Sequence, residues 1–366
     1  MIPIYKPYLP SHSLRHAHAA IDSTWISFNG PYVERATEKL RELLGVKYVQ
    51  LVNNGTAATH LVAKGLFYKH PNITKVIVPN NVYVAAWNAF VYDKNFDLVP
   101  IDADVATWNM NIEAASHLLD DNNTALYAVH NLGNTINIPA LKRRFGKCVF
   151  VEDNCEGFMG TYEGKYSGTE SLASSVSFFG NKTITSGEGG AVITNDEDVF
   201  KHVKSVHGQG QAPTKKYIHD RLGHNYRMTN VQAAILLGQL EILPEILEKK
   251  KNIFDFYKKE FALMRNVEVQ QVEEGCTPSN WMMGVRLRSR GGYASLQNFL
   301  ADKGIDSRPM FYPMSSHSHL KHVASPTREK GAKILHKEGA ILPSFPELTH
   351  NELVHIVASI EEYANK

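Results

Sequence analysis

Residues 176–195 read VSFFGNKTITSGEGGAVITN. Two β-prone runs, Val176–Phe179 and Ala191–Thr194, flank a turn crowded with Gly180, Gly187, Gly189 and Gly190. Glycine supplies the positive-φ corners and close backbone approaches that such a turn needs. Lys182 stands inside it beside Asn181, away from any run of charge. A solvated turn lysine is the reading this stretch favours when taken alone. A lysine that must hold a covalent bond would need a backbone built around it in this way, and the rest of the chain tips the balance.

Upstream, the chain alternates. Strands are expected at Tyr48–Val52, Lys75–Val78, Phe96–Ile101, Leu126–His130 and Cys148–Glu152. Between them lie helical stretches at Thr56–Phe67, Val82–Tyr92, Ile112–Leu119 and Ala140–Phe145. Strand–helix repeats of this length imply parallel strands with crossover helices, and the nearly all-apolar strands imply burial on both faces. A polar loop, His207–Thr229, follows the lysine turn, and a helical stretch, Asn230–Lys259, is interrupted by Pro244. Strands at Val267–Gln271 and Trp281–Leu287 and helices at Ala294–Lys303 and Asn351–Ala364 read as a smaller α+β part. The expected division is therefore a large α/β domain, 1–249, and a small C-terminal domain, 250–366.

Composition excludes several classes. The 366 residues are 43% hydrophobic and 21% charged, and 39 basic against 37 acidic residues leave a balance of +2. Nothing recommends nucleic acid or an anionic membrane as a partner. The 17 histidines are scattered without a metal-ligand spacing. Three cysteines, Cys148, Cys155 and Cys276, with no CxxC, fit a reducing compartment better than a disulfide framework. The opening MIPIYKPYLP lacks a basic region followed by an apolar core, and no apolar run reaches the length of a membrane span. The expected location is the cytoplasm.

Ligands of open parallel sheets gather beyond the carboxyl ends of the strands. Three groups fall there. Asn54-Gly55-Thr56 joins a strand to a helix start, where free amides and a hydroxyl can cradle phosphate, although on this motif alone a simple N-capped turn, which Thr56 would cap well, is the better reading. Asp153 ends the apolar run Val149-Phe-Val-Glu-Asp, and a carboxylate there could keep a pyridine nitrogen protonated. Tyr83 could stack on a planar ring, although core packing is the commoner fate of a tyrosine in such a helix. Ser177, five residues before Lys182, could add a hydroxyl to phosphate or point outward from its strand. Phosphate cradle, ring stacker, pyridinium partner and Schiff-base lysine, in that order, suggest pyridoxal 5′-phosphate. The absence of GxxxxGK and GxGxxG argues against nucleotide-binding loops.

The sequence resembles the DegT/StrS group of sugar aminotransferases, within the aspartate-aminotransferase-like enzymes of fold type I. The resemblance rests on STWISFNGPYVERATEKL (23–40), NNGTAATHL (53–61), VEDNCEG (151–157), SFFGNKTITSGEGGAVITND (177–196), HDRLGHNYRMTNVQAAILLGQLE (219–241), RPMFYP (308–313) and LPSFPEL (342–348). It implies a mostly parallel sheet flanked by helices, with Lys182 as the catalytic residue bound to the cofactor. It further implies Asp153 on the pyridine nitrogen, Tyr83 on the ring, Gly55, Thr56 and Ser177 on the phosphate, and Glu156 near the ring hydroxyl. Asn225 is expected to reach the phosphate of a neighbouring subunit's cofactor, which implies a homodimer. Arg227, Arg308 and Tyr312 are implied for the substrate. Leu132 departs from the group, which usually has an aromatic there, and so does the Asn80-Asn81 pair.

The activity implied is transfer of an amino group from L-glutamate, through pyridoxamine phosphate, to the C4 ketone of a nucleotide-linked 4-keto-6-deoxyhexose. GDP-4-keto-6-deoxymannose, giving GDP-perosamine, is the expected acceptor. A dTDP- or UDP-linked 4-keto-6-deoxyglucose, giving a viosamine-type product, is the alternative, and a non-catalytic scaffold keeping the fold is the alternative from another class. A branch of the group that removes the 3-hydroxyl carries histidine at the lysine position, and Lys182 sets it aside.

Overall fold

Short apolar runs, each too brief to span a buried helix, become strands, and the amphipathic stretches between them become the helices that cover the sheet. The computed structural model describes residues 1–119, 122–212, 214–288, 291–323 and 325–365. After an N-terminal arm come α1 (Ser11–Asp22) and α2 (Pro31–Leu44). Then β1 (Tyr48–Val52), α3 (Gly55–Lys69), β2 (Lys75–Pro79), α4 (Val84–Val91), β3 (Asp97–Ile101), α5 (Ile112–Ala115), β4 (Thr124–Val129), α6 (Ile138–Arg144) and β5 (Val149–Asp153) alternate. The two-residue strands β6 (Thr161–Tyr162) and β7 (Lys165–Tyr166) precede β8 (Ser174–Ser177) and β9 (Gly190–Thr194), which enclose the Lys182 turn. Helices α7 (Glu197–His207), α8 (Asn230–Glu241) and α9 (Leu243–Phe261) lead to the C-terminal part. There β10 (Val267–Glu268), β11 (Cys276–Thr277), β12 (Met283–Leu287), α10 (Gly292–Asp302), β13 (Arg308–Pro309), α11 (Lys330–Glu338), β14 (Gly339–Leu342) and α12 (His350–Ala364) follow.

The central sheet has seven strands in the order β1-β9-β8-β5-β4-β2-β3. From β8 to β3 neighbours pair in parallel, whereas β9 is antiparallel to both β1 and β8. The reversal has a local cause. The chain between β8 and β9 spends its residues on the lysine turn and forms no crossover helix, so it can only return alongside itself. A four-stranded sheet, β10-β12-β14-β13, forms the centre of the C-terminal part, and its apolar face packs with α9, α10 and α12.

Alternation along the strands divides the core. On β4, Ala125, Tyr127 and Val129 face one hydrophobic cluster, while Leu126 and Ala128 face another across the sheet. Helix ends follow local chemistry. Pro31 opens α2 and Gly45, at φ 65°, closes it in the left-handed conformation. Thr229 with Gln232 and Thr349 with Glu352 form capping boxes at α8 and α12.

Element bounds refine the expectations. The helix expected over Val82–Tyr92 begins at Val84, leaving Tyr83 extended as its N-cap. The stretch 230–259 is two helices, because Pro244 fits only a first helical turn, where its missing N–H costs nothing. The β6, β7 and β11 strands, of two residues each, are too short to leave a periodic signal. The expected division at 249/250 falls inside α9.

Candidate active site

The carboxyl ends of β4, β5 and β8, the start of α3 and residues of the C-terminal part enclose a cavity of about 870 Å³. Gly55, Thr56, Tyr83, Asp153, Glu156, Ser177, Lys182, Arg308 and Tyr312 all line it. Asn225 and Arg227 do not. Asn225 is exposed on the loop between α7 and α8, paired in a bridge with Gly208. The Arg227 guanidinium lies 4.1 Å from the Phe28 ring centre.

At one end, the Asn54 side chain caps α3 by accepting from the Ala57 N–H at 2.8 Å. The next residue must be glycine. A Cβ on Gly55 would lie 2.7 Å from Ser177 Cβ and 2.9 Å from Ser177 Oγ. Close packing of β8 against the helix start thus sets the Ser177 hydroxyl beside Gly55 at the first turn of α3. This arrangement suits an anion.

At the floor, Asp153 is the last residue of β5 and is 6% exposed. Its Oδ1 accepts from the Cys155 N–H at 2.8 Å and its Oδ2 from the Tyr127 hydroxyl at 2.6 Å. Glu152, on the opposite face of the strand, is held by His130 at 2.9 Å and turned away from the cavity. Glu156 receives the Leu132 N–H at 2.8 Å, and Leu132 adopts φ 52° to present it. Burial pushes the Glu156 carboxyl up to about 7, against the opposing charge of Lys182. Burial likewise pushes the Cys155 thiol up, with the Asp153 charge adding to it, so the thiol stays protonated and unreactive.

Lys182 is held from three sides. Its N–H donates to Phe179 O at 2.9 Å, its carbonyl accepts from the Tyr5 hydroxyl at 2.8 Å, and its Nζ lies 4.0 Å from the Trp281 ring centre. Trp281 also donates its indole N–H to Asn181 O at 2.7 Å. Behind it, fully buried Lys250 donates to the carbonyls of Trp281 and Ser344, at 2.5 Å each. Burial pulls the Lys250 amine down to about 7.

On the remaining wall, Tyr83 is 61% exposed with its ring centre 6.4 Å from that of Phe311, so its alternative fate as a core tyrosine is excluded. Arg308 is exposed on β13, and the Tyr312 ring centre lies 3.8 Å from that of His336. Sequence reasoning missed Tyr127 and Trp281. The first sits in an apolar strand run and the second opens the expected strand Trp281–Leu287; a lone polar tip in a doubly buried strand is the signal available at 127. Among the described residues no cluster of His, Cys, Asp or Glu is placed to hold a metal ion.

The residues fit pyridoxal phosphate. The start of α3 and Ser177 suit its phosphate, the buried Asp153 carboxylate suits a protonated ring nitrogen, and an amine, Lys182, reaches the same cavity. The sequence profile of the DegT/DnrJ/EryC1/StrS aminotransferase family matches residues 8–361. The chain is 36% identical over 369 residues to a GDP-perosamine synthase of Escherichia coli O157:H7, covering 99% of this chain and 98% of that one. It is 33% identical over 374 residues to a GDP-perosamine synthase of Vibrio cholerae, covering 100% of each. Its fold resembles the crystal structure of the sugar aminotransferase CalS13 from Micromonospora echinospora, with a TM-score of 0.88 at 24% identity over 99% of this chain and 100% of that one. The chain therefore belongs to the DegT/DnrJ/EryC1/StrS aminotransferase family and is an aminotransferase dependent on pyridoxal 5′-phosphate.

Proposed function

We propose that this enzyme moves an amino group from L-glutamate to the C4 ketone of GDP-4-keto-6-deoxymannose, giving GDP-perosamine, and that it works in the cytoplasm as a homodimer. The observation that carries the reading is the gathering of Lys182, Asp153 and the α3 start in one cavity, in a chain 36% identical along nearly its whole length to a GDP-perosamine synthase. No helix among the described residues is long and apolar enough to cross a membrane.

The cofactor supplies an aldehyde that condenses with amines and a ring that draws electrons from the adjoining carbon. The chain supplies the rest. Gly55, Thr56 and Ser177 hold the phosphate, Tyr83 covers the ring and Glu156 meets its hydroxyl side. The Asp153 carboxylate keeps the ring nitrogen protonated. Lys182 would hold the cofactor and, as a free amine, would take the proton from Cα of the donor. In the return half the same amine would give a proton to C4 of the sugar. Trp281 keeps Nζ over the floor during both transfers. Arg308 and Tyr312, on the wall opposite the sheet, meet the nucleotide sugar. Asn225 and Arg227, outside their own cavity, serve the partner's site; their exposed loop supports that role.

Purified enzyme with glutamate is offered GDP-, dTDP- and UDP-linked 4-keto-6-deoxy sugars, and products are weighed by mass spectrometry. Amination of the GDP sugar is expected, and Lys182→Arg abolishes it. Preference for a dTDP or UDP sugar overturns the substrate, and turnover by the Lys182 variant overturns the mechanism. Mixing Lys182→Ala with Asn225→Ala subunits restores activity if sites are shared across a dimer.

A further inference from the structure

The run Thr124–Val129 is buried on both faces, and five of its six residues would serve any central strand. Tyr127 is the exception. A hydroxyl placed there needs a partner, since an unpaired one in an apolar interior is strongly unfavourable. The partner it has is the carboxylate at the cavity floor. β4 and β5 run parallel with Tyr127 opposite Val151 and Val129 opposite Asp153. Tyr127 and Asp153 therefore share one face as diagonal neighbours, and the phenol reaches Asp153 Oδ2 at 2.6 Å. Burial first, and the Asp153 charge second, push the Tyr127 phenol far above its ordinary range. It remains a proton donor at every working pH.

The contact belongs to a closed circuit beneath the site. Thr59 interacts with the Tyr127 hydroxyl, donates to Gly55 O at 3.2 Å, and lies 3.0 Å from Ser175 Oγ. Ser175 Oγ is 3.9 Å from Cys155 Sγ, and the Cys155 N–H returns to Asp153. The circuit joins the first residue of α3 to the acid of the floor.

We propose that Tyr127 is a positioning residue of this enzyme. Its hydroxyl holds Asp153 as an oriented anion against the cofactor's ring nitrogen and, through Thr59, sets the distance from that carboxylate to the phosphate-binding end of α3. The inference rests on the assignment of Asp153 to the ring nitrogen. The other titratable groups around Asp153 are Cys155 and Glu156 on the following loop and Lys182 across the cavity, and none is altered in the variants below.

Cofactor-free wild type, Tyr127→Phe and Asp153→Asn are titrated with pyridoxal phosphate, following tryptophan fluorescence. Melting temperatures with and without cofactor, and the pH dependence of turnover, are recorded alongside. Tyr127→Phe keeps the ring and the packing. It is expected to weaken cofactor binding about tenfold, the scale of a hydrogen bond to a charged group. The acid limb of turnover moves to higher pH, because a hydrogen bond from the phenol favours the charged form of its acceptor. The cofactor-bound protein loses more melting temperature than the free one. Site-specific 3,5-difluorotyrosine at 127, a stronger donor of nearly the same shape, moves the acid limb the other way. Equal losses of melting temperature with unchanged affinity and an unmoved acid limb would make Tyr127 a core side chain only and overturn the inference, as would a difluorotyrosine shift in the same direction as phenylalanine. If Asp153→Asn binds and works like wild type, the Asp153 assignment itself fails; if it is impaired while Tyr127→Phe is not, only this inference fails.

Discussion

Lys182 Nζ lies 4.0 Å from the centre of the Trp281 ring, and the indole N–H of the same tryptophan donates to the carbonyl of Asn181 at 2.7 Å. One side chain from the C-terminal part thus touches both the Lys182 amine and the backbone beside it. Lys250 fixes the tryptophan in turn, through its carbonyl. The lysine turn and the C-terminal part are therefore one mechanical unit.

Replacing Trp281 separates the two contacts. Trp281→Phe keeps a ring under the amine and loses the N–H, so turnover should fall roughly fivefold, the scale of one neutral hydrogen bond. Trp281→Ala loses both, about 2 kcal/mol together, and turnover should fall roughly 30-fold. Stopped-flow absorbance of the half-reaction with glutamate checks both; a Trp281→Phe rate equal to wild type would rule out the indole N–H as an anchor.

Lys250 gives stability a pH dependence with a definite sign. Its amine is pulled down to about 7 by burial, while in the unfolded chain it titrates near the ordinary lysine value of about 10.4. Between those values the unfolded chain holds the extra proton, so stability rises with pH, at most about 1.4 kcal/mol per unit. Below pH 7 the cost of the buried charge is fully present. Urea unfolding of wild type against Lys250→Met at pH 7, 8.5 and 10 should show the difference between them growing in favour of wild type.

Glu156 behaves in the opposite sense. Its carboxyl is pushed up to about 7 by burial, whereas an unfolded glutamate titrates near 4.3. Between those values the folded protein holds the proton, so stability falls as pH rises and levels off above 7. Glu156→Gln keeps an acceptor for the Leu132 N–H and removes the titration. It should match wild type at pH 4 and exceed it at pH 8 by about 3 kcal/mol. Thermal unfolding of the cofactor-free protein reads the difference, and a gap independent of pH would contradict it.

Gly55→Ala tests the phosphate cradle. The new Cβ would sit 2.7 Å from Ser177 Cβ, so β8 and α3 must part, at about 1–3 kcal/mol of stability. Cofactor affinity should fall with it. Adding Ser177→Gly removes the clash and should restore the melting temperature while leaving affinity low, because the hydroxyl is gone; calorimetric titration with pyridoxal phosphate separates the two effects.

Much of this site is legible in the sequence because its parts are local. The glycines around Lys182, the acid that ends Val149–Asp153 and the Asn54-Gly55-Thr56 helix start each announce themselves within a few residues, where backbone preference and apolar period act. The strand–helix alternation is legible for the same reason, and with it the parallel sheet and the edge at which a ligand gathers. Tyr83 was legible in place but ambiguous in fate, because only the start of α4 one residue later decides that it faces the cavity.

The sequence by itself determined which chemical groups are available and on which strand or turn each one sits. Only the tertiary structure decided what those groups touch. Tyr127 meets Asp153 because β4 and β5 pair in a register that puts both on one face, and Trp281 meets Lys182 because the C-terminal part packs over the sheet. Such contacts join residues far apart in the chain and are set by how whole elements pack, a property that no short window of residues carries.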